Sequence, residues 1–195
     1  MLIACMACTH LVGDVVTVFI SAIIIKHGEL NQLKSLRCPC VFLYIMRHGK
    51  AEERKPGQSD EERRLTDEGR QDVELVARLM PYKPSVVFTS PIRRAVETGE
   101  VVSRVWSVEL RVVEELHPQL LSLDSLKRVP LTDNAVLVGH APSIERLLSN
   151  LIGGGNIKLK AGAIAGIELE RIEEGKAVLQ FVITPEIARK CVLRT

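Results

Sequence analysis

Apolar positions fall into two alternating kinds of run along most of the chain. Val41 to Met46 is a stretch of six apolar residues, β-branched and aromatic among them, that predicts a strand covered on both faces. A charged stretch, Lys50 to Arg64, with a Pro56-Gly57 turn signal, predicts a solvated connection. Thr66 then suits a helix N-cap, with Asp67 and Glu68 placed to complement the helix dipole. Val73, Val76, Ala77 and Met80 follow at the three-four spacing of a buried stripe, and Pro81 closes the helix. Ser85 to Thr89 predicts a second buried strand, and Pro91 a second helix at its first position.

The alternation continues. Leu110 to Val113 predicts a third strand, residues 119–133 a short helix and loop, and Ala135 to Val138 a fourth strand. Ile144, Leu147, Leu148 and Leu151 mark one face of a further helix, ended by Gly153-Gly154-Gly155. Ala163 to Leu169 and Ala177 to Ile183 predict two closing strands joined through Glu173-Glu174-Gly175-Lys176. Strand and helix in turn up to residue 152 predict a three-layer α-β-α sandwich around a mostly parallel sheet.

Residues 1–40 do not share this pattern. Leu11 to Ile25 is almost continuously apolar, yet about fifteen residues fall short of the roughly twenty that cross a bilayer. Its β-branched content favours a strand. Three readings stay open for this extension: an added strand, an anchor, or a segment outside the native product. Residues 41–195 are expected to form the catalytic domain.

Composition narrows the partners. A net charge of +2 on 195 residues gives no basic surface for nucleic acid and no polybasic membrane patch. Four of the five cysteines, Cys5, Cys8, Cys38 and Cys40, precede residue 41. Their paired spacing resembles two zinc half-sites, but the thirty-residue gap does not fit the usual knuckle, and free thiols are the expectation. No metal and no cofactor are expected.

The chemistry sits at strand ends. The first strand stops at Arg47-His48-Gly49, the second runs into Ser90-Pro91-Ile92-Arg93-Arg94-Ala95, and the fourth ends in Gly139-His140. Parallel strands bring their carboxyl ends to one edge of a sheet, where ligands bind. Cations and imidazoles gathered there suit a phosphate. Arg93 and Arg94 in a first helical turn oppose the dipole, so they ask for a ligand or an acidic neighbour.

These segments, with Leu65-Thr66 through Gly69 and with Thr98, occur in the order found in the histidine phosphatase superfamily, once called the phosphoglycerate mutase-like fold. The resemblance covers roughly residues 41–184, and the compact length is similar to the SixA-type phosphohistidine phosphatases. It implies a metal-independent phosphatase in which His48 attacks phosphorus and becomes a transient phosphohistidine. Arg47, Arg94 and His140 would bind the phosphoryl oxygens. The family's arginine maps to Arg94, which leaves Arg93 at the surface. Glu115, or its neighbour Glu114, would protonate the leaving group. His117, on a loop near the proposed site, could contact substrate. The expected partner is a phosphorylated small molecule or a phosphohistidine protein, without nucleic acid or membrane, and the expected location is cytoplasmic. A phosphoglycerate mutase and a non-catalytic phosphate-binding or phosphohistidine-binding module are the competing readings.

Overall fold

The computed structural model describes residues 40–192. The apolar run Leu11 to Ile25, His10, His27 and the cysteines at 5, 8 and 38 lie outside the described residues. Six strands form one sheet in the order β3-β2-β4-β1-β5-β6. They are β1 (Val41–Arg47), β2 (Val86–Thr89), β3 (Glu109–Val112), β4 (Ala135–Gly139), β5 (Ile164–Leu169) and β6 (Ala177–Ile183). The pairs β1–β4, β2–β4 and β2–β3 are parallel, whereas β5 and β6 are added antiparallel. The predicted α/β sandwich is therefore present, with a hairpin closing one edge.

The continuous apolar character of β1 has a simple cause. Alternate side chains point to opposite faces of a sheet, and here each face carries its own core. Leu43 and Ile45 join Phe88, Leu137 and Ile167 on one side, under the helix α4 (Ser143–Leu151) and the one-turn helix α3 (Leu123–Leu126). Tyr44 and Met46 join Val87, Val136 and Val138 on the other side, under α1 (Asp67–Arg78) and α2 (Arg93–Trp106). A further helix, α5 (Pro185–Val192), follows β6 and puts Ala188 into this second core. The sequence patterning did not mark α5 as an element.

Local expectations hold at several helix ends. Thr66 caps α1 by accepting the Gly69 N–H at 3.0 Å. The stripe Val73, Val76, Ala77 and Met80 is buried. Gly153, at φ 83°, follows the last residues of α4 as a left-handed terminator. At α2 the start differs. Ile92, not Pro91, is the N-cap, because the Ile92 carbonyl accepts the first helical bonds from Ala95 and Val96 at 2.8 and 3.2 Å. Pro91 lies one residue outside, in the turn that lets Ser90 keep its place beside the sheet.

Gly49 is set by close packing and not by a left-handed turn. Its φ is not in the left-handed region. What excludes a side chain is crowding: a Cβ at Gly49 would stand 2.8 Å from Val73 Cγ2 and 3.0 Å from Gly69 O. A Cβ at Gly69 would overlap Lys50 O. The two glycines let the end of β1 and the start of α1 lie in direct contact, which fixes the backbone on which Arg47 and His48 stand.

Candidate active site

The carboxyl ends of β1, β2 and β4 meet at one edge of the sheet, as their parallel register requires. The β1–β4 register places Arg47 opposite Gly139, and the His48 N–H continues the ladder to Gly139 O at 3.0 Å. His48 and His140 are neighbours, with ring centroids 4.9 Å apart and ring planes tilted by 50°. Arg94, buried at the start of α2, directs its Nε to His48 Nε2 at 3.3 Å. Thr98 joins the two segments: its hydroxyl accepts the Gly49 N–H at 3.1 Å and donates to Arg94 O at 2.7 Å.

These bonds fix the state of the His48 ring. Nδ1 lies 2.8 Å from Gly49 O, a carbonyl that can only accept, so Nδ1 carries the proton. The lone pair is then on Nε2, facing Arg94. Burial, and after it the cations of Arg94, Arg47 and Arg63, push the His48 pKa down to about 4 against the opposing pull of the Gly49 bond. Burial likewise lowers His140 to about 3, helped by His48, Arg94 and His117 and resisted by Asp60. Both rings are neutral at pH 7, and His48 offers a nucleophilic nitrogen without a base to deprotonate it.

Two buried polar atoms find no hydrogen-bond partner among the described residues: Arg47 Nε and His140 Nδ1. An unsatisfied buried polar atom costs about 1–3 kcal/mol. Both atoms belong to the same cluster as His48, so a polar group bound beside His48 would satisfy them together. Arg47 is otherwise tied down by its Nη1 on Leu159 O at 2.8 Å. His140 Nε2 is 3.0 Å from Ser90 Oγ.

The positive charge at the mouth of α2 is answered by acidic groups. Arg94 gives Nη1 to Asp60 O at 2.6 Å and Nη2 to Asp60 Oδ2 at 2.9 Å. The same carboxylate takes Arg63 Nη1 at 2.8 Å. The hydrogen bond from Arg63, and then the charge of Arg94, hold the Asp60 carboxyl below its usual range. Asp60 belongs to a short 3-10 turn, Asp60–Glu62, capped by Ser59. The predicted charged connection thus contributes to the site. Arg93 faces outward, at 3.2 Å from Glu97, as its place one step round the helix from Arg94 requires. Glu97, itself buried, also takes the Leu65 N–H and Arg70, which anchors the start of α1.

The acidic residues after β3 are placed elsewhere. Glu115 pairs with Arg128 Nε at 3.6 Å, and none of its hydrogen bonds reaches His48, Arg94 or His140. Glu114 is exposed. His117, in contrast, lines a cleft with Glu61, Glu62, Pro91, Ile92 and Arg93. Its Nε2 is 3.7 Å from Glu61. Asp60, Arg63, Ser90, Glu97 and Glu145 were not singled out as site residues by sequence reasoning. Glu97 alone had a local signal, four residues after Arg93 on one helix face. Among the described residues no group of three His, Cys, Asp or Glu side chains stands ready to hold a metal ion.

Residues 43–118 match the model of the histidine phosphatase superfamily, branch 1. The matched segment, well under half of the chain, is similar to that superfamily. The matched residues contain Arg47-His48-Gly49 and the Arg94 segment, whereas His140 lies beyond them. No curated protein matches the chain. Solved structures share the fold. A SixA-type protein from Agrobacterium tumefaciens aligns with a TM-score of 0.64 and 22% identity over 74% of this chain and 98% of that one. A protein histidine phosphatase SixA complexed with tungstate gives 0.63 and 24% over 78% and 99%. Phosphoserine phosphatase from Entamoeba histolytica, bound to 3-phosphoglyceric acid, gives 0.56 and 18% over 74% and 97%.

Proposed function

We propose that this protein is a phosphatase of the histidine phosphatase superfamily that cleaves a phosphomonoester or a phosphohistidine through a covalent phosphohistidine on His48. The observation that carries the reading is the fixed tautomer of His48: Nδ1–H is held by Gly49 O, and the Nε2 lone pair faces a guanidinium. In the first step the Nε2 lone pair forms the N–P bond. The bond from phosphorus to the leaving group breaks, and its electron pair departs with that group, which takes a proton from solvent or from a neighbouring acid. In the second step a water oxygen attacks phosphorus, the N–P bond returns its pair to Nε2, and a proton is released with inorganic phosphate.

Arg47, Arg94 and His140 bind the phosphoryl oxygens in this mechanism. Arg47 Nε and His140 Nδ1 gain the partners they lack among the described residues, and charge spread over three oxygens suits planar guanidinium donors. Arg94 must first change partners. Its three nitrogens are engaged by His48 and Asp60, so an incoming phosphoryl group exchanges with the Asp60 carboxylate and frees the Nε2 lone pair.

Phosphohistidine on a protein is the favoured substrate among the phosphates. An imidazole leaves readily, whereas an alkoxide needs a strong acid. The expected acid, Glu115, is committed to Arg128. The segment between β3 and β4 holds only a 3-10 turn, Glu114–Leu116, and one helical turn, so it offers little cover against water or a large substrate. That favours hydrolysis over mutase transfer. The SixA complex with tungstate, an oxyanion of phosphate-like shape, supports the anion reading by analogy of fold. The test is hydrolysis of p-nitrophenyl phosphate by the wild type and by His48→Ala. The variant is expected to lose at least ~10³-fold in kcat. Turnover at the wild-type rate would end the proposal.

A further inference from the structure

Arg47 is held in its working direction by a residue outside every motif discussed so far. Its Nη1 donates to Leu159 O at 2.8 Å. The N–H of the same residue, Leu159, donates to Glu145 Oε1 at 2.9 Å. Glu145 is on α4, three residues after Pro142, and is only 7% exposed. Its second oxygen meets the exposed Lys158 at 3.3 Å. Burying a carboxylate is costly unless it is bonded, and this one commits an oxygen to a single backbone N–H.

Why that residue needs holding follows from its setting. Residues 153–160 form no helix or strand, and Gly153, Gly154 and Gly155 all adopt positive φ. No sheet ladder fixes Leu159. Its side chain is buried in the core, its N–H is taken by Glu145, and its carbonyl is taken by Arg47. With Nη1 anchored, Arg47 has its buried Nε left over for a ligand. We propose that Glu145 is a positioning residue for the phosphate clamp: it fixes Leu159, and Leu159 O orients the Arg47 guanidinium. This rests on the phosphate-binding reading of Arg47 given above. It also explains a feature of the sequence that the strand-end motifs leave aside, a carboxylate on the inward side of α4, among Ile144, Leu148 and Leu151.

The test is a double-mutant cycle read by calorimetric titration of inorganic phosphate into the full chain. Glu145→Ala is expected to weaken phosphate about tenfold, the effect of misplacing one charge-assisted donor. Glu145→Gln keeps an oxygen for the Leu159 N–H and is expected to stay within about twofold of wild type. In an Arg47→Ala background, Glu145→Ala is expected to add nothing, because the residue through which it acts is gone. A purely structural role would lower the melting temperature and leave the affinity of the folded protein unchanged. That result, or equal losses with and without Arg47, would overturn the proposal. Should Glu145→Ala not fold, Glu145→Asp, one methylene short, enters the same cycle, and wild-type affinity there would overturn it equally. If Arg47→Ala alone leaves phosphate binding intact, the reading of the clamp itself falls, which separates the two failures.

Discussion

The two sides of Arg94 are built in different ways. On one side stand His48, Arg47 and His140, each at the carboxyl end of a buried strand, with the His48 ring held by Gly49 O, Arg47 by Leu159 O and the His140 ring by Ser90 Oγ. On the other side stand Asp60 and Arg63 in a capped 3-10 turn of a charged loop, exposed or half exposed. The strand-end side cannot move without breaking the ladder between β1 and β4. The loop side is held by surface ion pairs, which contribute about 0–1 kcal/mol each. In the proposed mechanism Arg94 joins a rigid half that performs chemistry to a yielding half that exchanges one anion for another. An arginine in the first turn of a helix opposes the dipole by about 0.3–1 kcal/mol. Asp60 answers that charge within the protein, and in the proposal a phosphoryl group answers it during reaction.

If this division is right, substitutions on the two sides of Arg94 act in opposite directions. The largest effect is expected from Arg94 itself. Arg94→Ala removes the group that faces both the nucleophile and the phosphoryl oxygens, and is expected to lower kcat/KM for p-nitrophenyl phosphate by about 10²–10³-fold. A loss below tenfold would remove Arg94 from the centre of the comparison. Asp60→Asn is expected to move in the other direction. The neutral amide competes less well for the guanidinium, so inhibition by inorganic phosphate should tighten by about three- to tenfold. Weaker phosphate inhibition in this variant would mean that Asp60 supports the anion site instead of competing for it.

The same division decides how much could be read from the sequence. The sheet was legible because both its faces are apolar: Val41 to Met46 and Ala135 to Val138 are continuous hydrophobic runs, and only a doubly covered strand is written that way. The proposed nucleophile and clamp were legible because a strand fixes where its last residue points. Arg47, His48, Arg94 and His140 stand together in the structure as the motifs placed them. Asp60 was not legible. Its contact with Arg94 spans 34 residues and arises from a loop whose course no periodicity records. Glu115 has a different setting from the strand-end residues. Its position after β3 is compatible with an acid, but the turn Glu114–Leu116 buries Leu116, and Glu115 pairs with Arg128. The helix α5 was missed since its eight residues carry only a short apolar stripe, with Ala188 the residue placed in the core. Glu145 carried no signal in the sequence: it is a single charge beside an apolar stripe, and it is buried on the backbone N–H of Leu159.

The central claim is that His48 Nε2 carries the phosphoryl group between the two steps. Rapid mixing of the protein with p-nitrophenyl phosphate, alkaline quenching to preserve the acid-labile N–P bond, and phosphorus NMR of the denatured chain test it directly. The account predicts a phosphoramidate signal from a histidine phosphorylated on its Nε2 in the wild type, and its absence in His48→Ala. Turnover with no phosphorylated histidine, or an undiminished signal in His48→Ala, would contradict it.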